Sequence, residues 1–513
     1  MTIFESLFPP IDIPDLSITE LVFRNLTARP EGEVVLVDGP TRREVTAGAL
    51  VTAITALAGG LSKRGHGAGT TVAILAPNIP EYAIVYHAVS WAGGTLTTIN
   101  PTYTPEEVRH QLRDARASLL ITVPPFLETA RAAVEGTEVR DIAVIGEASF
   151  TDLMGPPLAA QVPVDVAGHV HVLPYSSGTT GLPKGVMLSH RNMVANVLQC
   201  QALRPVATGE WTVGFLPFFH IYGMEVLLNL YLANGGRIVT MPRFDLELFL
   251  KLCQDYRTPQ AFIVPPVALA LAKHPMVDQF DLSALTRVLS GAAPLGAELA
   301  GALTARLGIP CEQGYGMTEM SPVSHLTPRD RGRNGAAGLT VPGAECRIVD
   351  PGTGRDMGAG EEGELWVRGP QVMLGYLNND KATAATMEGE WLKTGDIGHF
   401  DADGYLFITD RLKELIKVKG FQVAPAEVEA CLQAHSKVAD VAVIGRKDDE
   451  AGEVPVAYVV PKDMTPTLDE LQAHVAAHLA TYKQIRAVEV VDAIPKSASG
   501  KILRRVLRER DNA

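Results

Sequence analysis

Cysteine is scarce in this chain of 513 residues: five in all, with no C-x-x-C pair. Cys200, Cys253, Cys311, Cys346 and Cys431 stand far apart, which argues against a disulfide frame or a zinc site and reads as reduced core thiols in a cytoplasmic protein. No apolar run approaches the length needed to cross a bilayer. Basic residues are also in deficit, 45 Lys and Arg against 58 Asp and Glu for a net charge of −13. That balance argues against a nucleic-acid or anionic-membrane surface. Met1-Thr2-Ile3-Phe4-Glu5 lacks a basic region and a long apolar stretch, so no signal peptide is expected. Asp511-Asn512-Ala513 is no peroxisomal address.

What is present suits a globular enzyme: 46% hydrophobic and 20% charged residues. The length exceeds one core's usual size, so two or more domains are expected. From Asp410 onward 16 Lys and Arg balance 16 Asp and Glu, which puts the whole acidic excess before it. An anionic ligand then needs local basic residues, and Arg411, Lys413, Lys417 and Lys419 concentrate them. His169-Val170-His171 could offer two metal ligands on one strand face, but with no Cys or His cluster nearby in sequence they read as ordinary polar positions.

Up to about residue 290 the chain alternates β-rich runs with amphipathic helices. Residues 71–75 read as a buried strand, Pro80 opens a helix, Gly93-Gly94 stops it, and 95–99 form the next strand. Strands at 212–216, 237–241, 261–264 and 287–290 continue the rhythm, with helices at 224–232 and from Asp245 to Tyr256. This βαβ order predicts mostly parallel sheets covered by helices, with ligands beyond the carboxyl ends of the strands. From about 336 to 409 composition shifts toward Gly, Glu and short alternating strands, in the manner of a β-barrel or hairpin. After Asp410 a small α+β domain is expected: a helix from Pro425, strands at 438–445 and 454–460, a helix capped by Thr467-Leu468-Asp469-Glu470, and a closing strand at 488–491.

The densest chemistry lies in Tyr175-Ser176-Ser177-Gly178-Thr179-Thr180-Gly181-Leu182-Pro183-Lys184-Gly185. It follows a short strand at 170–173 and precedes a helix capped by Ser189. Ser176, Ser177, Gly178, Thr179 and Thr180 offer backbone N–H groups and hydroxyls with little bulk, and Lys184 adds an ammonium, together a phosphate cradle. Walker A is excluded, because Gly185 follows Lys184 where that motif needs Ser or Thr. In Gly314-Tyr315-Gly316-Met317-Thr318-Glu319 the glycines admit a flat ring, Tyr315 can stack on it, Thr318 can bond a phosphate and Glu319 can hold Mg²⁺.

The cradle resembles, nearly letter for letter, the signature of the adenylate-forming enzymes: acyl-CoA synthetases, luciferases and peptide-synthetase adenylation domains. Thr394-Gly395-Asp396, the stretch from Asp410-Arg411-Leu412-Lys413 to Gly420-Phe421-Gln422-Val423-Ala424-Pro425, and Ser499-Gly500-Lys501 follow in the family's order. The likeness is nearest to bacterial 4-coumarate–CoA ligase-like members, through Phe219-His220-Ile221-Tyr222 and Ser290-Gly291-Ala292-Ala293-Pro294. It implies a large N-terminal adenylation domain over 1–409, a hinge at 410–413 and a mobile C-terminal lid over 414–513. The implied substrates are ATP, with Mg²⁺, CoA and a carboxylic acid, joined through an acyl-adenylate into a thioester.

Carried onto this sequence, the resemblance puts the nucleotide on the cradle with Gln313, Gly314, Tyr315, Thr318, Asp396, Arg411, Lys413 and Lys417. Asp396 and Arg411 hold the ribose, Glu319 the magnesium, and Lys413 serves as hinge. Lys501 is the adenylation lysine, a cation between an attacking carboxylate and a departing pyrophosphate. Lys417 and Gln422 reach the acyl-phosphate side; His220 and Arg243 flank the CoA entrance, with Lys419 and Gly420 along it. The acid pocket is Ile221, Tyr222, Glu225, Val226, Phe262, Leu289, Gly291, Ala292, Gly314, Gly316, Pro322 and Val323. Where plant coumarate ligases commonly carry Asn, a hydroxyl residue, Met and Lys, this chain has Glu225, Val226, Phe262 and Leu289. Such a wall suits cinnamate-type acids and equally medium- or long-chain fatty acids. An inactive nucleotide-binding protein is the reading from another class, and retention of Lys184, Glu319, Asp396, Arg411 and Lys501 opposes it. The resemblance also implies a lysine acetyltransferase and deacetylase acting on Lys501.

Overall fold

The computed structural model of the protein describes residues 2–176, 183–329, 331–419, 421–448, 451–497 and 500–511. Among them four β-sheets form. A seven-stranded sheet runs Gly375–Tyr376, Lys184–Ser189, Val170–Ser176, Thr95–Thr98, Thr71–Leu75, Ala117–Thr122, Asp141–Val144. Its members from Val170–Ser176 onward are parallel neighbours, and Lys184–Ser189 pairs antiparallel at the turn back. Ala117–Thr122 is buried at every position, the continuous apolar run expected of a strand covered on both faces. A four-stranded sheet adds Trp211–Gly214, Arg237–Thr240, Val34–Asp38 and Glu44–Thr46.

The third sheet, of eleven strands, begins with the parallel trio Gln260–Ile263, Arg287–Ser290 and Cys311–Gly316. It continues without a break through antiparallel Val323–Leu326, Gly338–Thr340, Tyr405–Arg411, Trp391–Phe400, Gly363–Arg368 and Glu345–Val349 to Phe4–Glu5. The β-rich stretch read at 336–409 is therefore an antiparallel extension of a parallel sheet. These three sheets share one apolar core, and helices Pro105–Asp114 and Leu127–Ala133 form a second one against the seven-stranded sheet.

After Leu415 the buried apolar residues belong to separate cores, one of them built on Ile416, Val423, Val428, Val441, Leu471 and Val475. They dress a five-stranded sheet in which the hairpin Ile416–Val418/Phe421–Val423 adds to the long pair Val438–Asp448 and Gly452–Pro461. The Thr467 capping box is present: its hydroxyl accepts from Glu470 N at 3.2 Å and the Glu470 carboxylate accepts from Thr467 N at 2.9 Å.

Two local findings differ from the sequence reading. The stretch read as a helix at 224–232 is a π-helix over Tyr222–Asn229 followed by α-helix Leu230–Ala233; π-turns insert a residue at sites where side chains must be re-aimed. Asp410 and Arg411, expected in the hinge, end the strand Tyr405–Arg411 and pair with Ile397 and Asp396. Asp410 Oδ2 also accepts from Ala426 N at 2.8 Å, so the strand end is tied to the first helix of the small domain.

Candidate functional site

A cavity of about 670 Å³, counting its open mouth, lies beyond the ends of the strands Gln260–Ile263, Arg287–Ser290 and Cys311–Gly316. Its walls carry His220, Ile221, Tyr222, Val226, Phe262, Leu289, Gly291, Ala292, Gly314, Tyr315, Gly316, Thr318, Pro322 and Val323, with Lys501 from the small domain. A Cβ on Gly291 would come within 3.0 Å of the Tyr222 ring, so glycine there lets the ring lie against backbone. Ala292 takes a φ of 68°, a conformation costly for a residue with a Cβ and often stored at functional sites. A smaller cavity, about 300 Å³, shares His220, Ile221 and Thr318 with the first and extends toward Asn100 and Gln111.

Lys501 is brought across by its loop. Gly500 takes a φ of 81°, a conformation that favours glycine, and packs close to Pro266 and Val264 of the large core, where a Cβ would sit 3.3 Å from Pro266 Cδ. Lys501 N donates to Ser497 Oγ at 3.1 Å, and Ser497 N to the Lys501 carbonyl at 2.8 Å. Burial and the nearby Arg411 cation depress the Lys501 ammonium to about 8, with Asp396 and Glu319 opposing. Burial and the Lys501 charge hold His220 neutral, its pKa down to about 3. His220 Nδ1 accepts from Tyr222 N at 3.2 Å, so the proton sits on Nε2.

Beside the cavity two carboxylates are held in place. The Tyr315 hydroxyl donates to Asp396 Oδ2 at 2.5 Å and Arg411 Nε approaches Oδ1 at 3.2 Å. Glu319, 3% exposed, accepts from the Tyr376 hydroxyl at 2.8 Å, and the Lys184 ammonium stands 4.1 Å over the Tyr376 ring. The second Glu319 oxygen takes no hydrogen bond among the described residues, which leaves a hard donor free for a cation such as Mg²⁺. Ser176 and Lys184 face each other across the strand pair that flanks the cradle. Ser177, Gly178, Thr179 and Thr180 of the cradle, and Gly420, lie outside the described residues.

Several expected residues do not line the cavity. Glu225 does not border the cavity: it is fully buried and accepts from Asn229 Nδ2 at 2.7 Å. Burial raises its carboxyl pKa well above the ordinary range. Lys417, Lys419 and Gln422 are exposed on the hairpin because Ile416, Val418 and Val423 take the inward positions. Lys413 and Arg243 are exposed as well. Gln313 spends its side-chain oxygen on Leu295 N at 2.9 Å. His171 is wholly buried and stacked on His190 at 4.4 Å, and the five cysteines are free.

Other residues at the site were not foreseen. Cys200 and Arg204, four apart on helix His190–Leu203 and its end, border the cavity, as do Leu230, Met317 and Leu326. Arg204 is 3% exposed; its Nη1 meets Glu312 at 2.5 Å and its Nη2 donates to Gln260 at 2.9 Å. Continuing the helical spacing from Val226 would have found Leu230; only the fold brings Arg204 and Tyr376 in.

The profile of the AMP-binding enzyme family matches residues 22–377, and that of the AMP-binding enzyme C-terminal domain matches 427–501. The chain belongs to the AMP-binding enzyme family. The family's adenylate-forming members are the ones its motifs resemble. Relatives include "Probable 4-coumarate--CoA ligase 1" of Dictyostelium discoideum, 40% identical over 99% of this chain and 98% of the relative. "4-coumarate--CoA ligase 5" of Oryza sativa subsp. japonica is 42% identical over 99% and 97%. Among solved structures, anthranilate CoA ligase AuaEII in complex with anthranoyl-AMP matches with a TM-score of 0.90 at 27% identity, covering 98% of each chain. ATP-bound MatB from Rhodopseudomonas palustris matches with a TM-score of 0.88 at 28% identity, over 96% of this chain and 99% of that one. Among the described residues no helix is long and apolar enough to cross a membrane.

Proposed function

We propose that this member of the AMP-binding family is an ATP-dependent acid–CoA ligase acting on 4-coumarate- or cinnamate-type aryl-propenoic acids. The observation that carries the reading is Lys501: a cation from the small domain, next to Ile502 of that domain's own core, lines a cavity of the large core together with Thr318 and His220. There its ammonium would lie between an acid's carboxylate and the α-phosphate of ATP. The carboxylate oxygen forms the bond to phosphorus as pyrophosphate leaves, and Lys501 offsets the charge that both anions bring together. Asp396 and Arg411 would hold the ribose; Glu319 would hold Mg²⁺, which neutralises phosphate charge when bound.

The second step replaces AMP by the CoA sulfur at the acyl carbon. Residues 414–513 would turn about 412–413, withdrawing Lys501 and bringing Lys417, Gln422 and the Lys419–Gly420 edge round; Arg243 and the small cavity beside His220 suit an entering pantetheine arm. Acetylating Lys501 would remove its charge and stop adenylation; in the arrangement described, an acetyltransferase would first need the loop withdrawn.

Flat walls at Gly291, Gly314 and Gly316 favour a planar aryl acid. The apolar lining of Val226, Phe262, Leu289 and Val323 supports a second reading, a medium- or long-chain fatty acid. The test incubates the enzyme with ATP, Mg²⁺, CoA and a mixed panel of cinnamates and fatty acids, and identifies thioesters by mass spectrometry. Cinnamoyl-type thioesters are expected to dominate. Fatty acyl thioesters alone would overturn the substrate class, and nucleotide binding without any pyrophosphate exchange would overturn the reaction.

A further inference from the structure

Helices Pro425–Gln433 and Leu468–His478 pack side by side through Val428, Leu432, Leu471 and Val475. On the outer side of that seam Cys431 of the first meets His474 and His478 of the second, and one ligand atom from each lies within 4.8 Å of the others. The two histidines are four residues apart and so share a helix face. In a tetrahedral shell with bonds of about 2.0–2.3 Å, neighbouring ligand atoms stand roughly 3.3–3.7 Å apart, so small side-chain turns close the set.

Backbone carbonyls fix the tautomer of both imidazoles. His474 Nε2 lies 3.0 Å from the Cys431 carbonyl and His478 Nδ1 lies 2.7 Å from the His474 carbonyl. A carbonyl can only accept, so both of those nitrogens carry protons. That leaves lone pairs on His474 Nδ1 and His478 Nε2, the tautomer fixing that metal-bound histidines receive from backbone carbonyls. The nearby carboxylates are engaged: Glu470 with Lys437 and Glu427 with Lys483, both at 2.6 Å. His435, edge-on to His474 at 5.2 Å, uses Nδ1 to accept from Lys437 N. What remains is one thiol and two imidazoles, a donor set that suits zinc-class ions and not Mg²⁺ or Ca²⁺.

We propose that Cys431, His474 and His478 form a zinc-class divalent metal site, with water as fourth ligand, that rivets the two helices of the small domain. This site is independent of the acid–CoA ligase reading. The test uses untagged, reduced, metal-free protein without nucleotide, titrated with Zn²⁺ by calorimetry and with Co²⁺ by absorption. One Zn²⁺ per chain and a thiolate-to-cobalt charge-transfer band are expected. Cys431→Ser should abolish the band, and Cys431→Ser and His478→Ala should each weaken Zn²⁺ binding at least about tenfold. His478 is exposed and Cys431 half-buried, so both variants should keep the parent's circular dichroism. Glu319→Gln should bind Zn²⁺ as the parent does. Unchanged affinity in both ligand variants, a cobalt spectrum without the thiolate band, or loss of binding in Glu319→Gln would overturn the site.

Discussion

The Tyr376 hydroxyl donates to Glu319 at 2.8 Å while the same ring lies 4.1 Å beneath the Lys184 ammonium. One aromatic residue thus sets both a carboxylate and a cation of the proposed nucleotide site. Tyr376→Phe removes a hydrogen bond to a charged acceptor, worth about 1.5–3 kcal/mol. We expect the Mg²⁺ concentration for half-maximal pyrophosphate exchange to rise about tenfold, with the KM for the acid little changed. An unaltered Mg²⁺ dependence would rule out the positioning role.

Lys501 titrates near 8, below the ordinary lysine value, chiefly because it is desolvated and secondly because Arg411 is close. Without nucleotide its neutral, acylatable form should grow as pH rises through about 8. Phosphates should push that midpoint upward by favouring the ammonium. Acylation of the Lys501 peptide, followed by mass spectrometry across the pH range, reads both. The depressed value also means that the unfolded chain binds more protons between about 8 and 10.5, so this lysine costs stability below that window and ceases to above it. A midpoint at the ordinary lysine value would contradict the desolvated placement.

Glu225 has the opposite sign. Its folded pKa is raised by burial, so the native state holds the proton that the unfolded chain gives up above its ordinary value of 4.5. Stability from this group is present below that value and is lost as pH rises. Glu225→Gln can still accept from Asn229 and has no proton to lose. The variant should gain in urea midpoint over the parent from about pH 5 to pH 8, and not at pH 4. Parallel profiles would mean that the carboxyl is solvated.

Arg204 and Glu312 form an ion pair with side chains only 2% and 4% exposed. Breaking such a pair on one side commonly costs 3–5 kcal/mol, because the other charge stays buried. Arg204→Met should lower the urea midpoint by that order and raise the KM for the acid, since Arg204 borders the cavity. Adding Glu312→Gln should recover part of the stability. A single variant as stable as the parent would show the pair to be hydrated.

Five cysteines without a C-x-x-C pair argued against a metal site, yet Cys431 stands beside His474 and His478 because two helices pack. Spacing of 43 residues leaves no local pattern. Glu225 shows the converse: the resemblance put it in the acid pocket, but in the π-helix Tyr222–Asn229 it is Tyr222 and Val226 that line the cavity, while Glu225 is buried away from it.

By itself the sequence determined the local elements and the family. Caps, glycine turns and apolar alternation are set by neighbours within a few residues, and the motifs Gly314–Glu319 and Ser499–Lys501 are contiguous. Tertiary structure alone decided which distant groups share a site: Tyr376 with Glu319, Arg204 with the cavity, Lys501 with His220. Those distances depend on how sheets and cores pack, and burial then sets the charge each group carries, which no run of letters encodes.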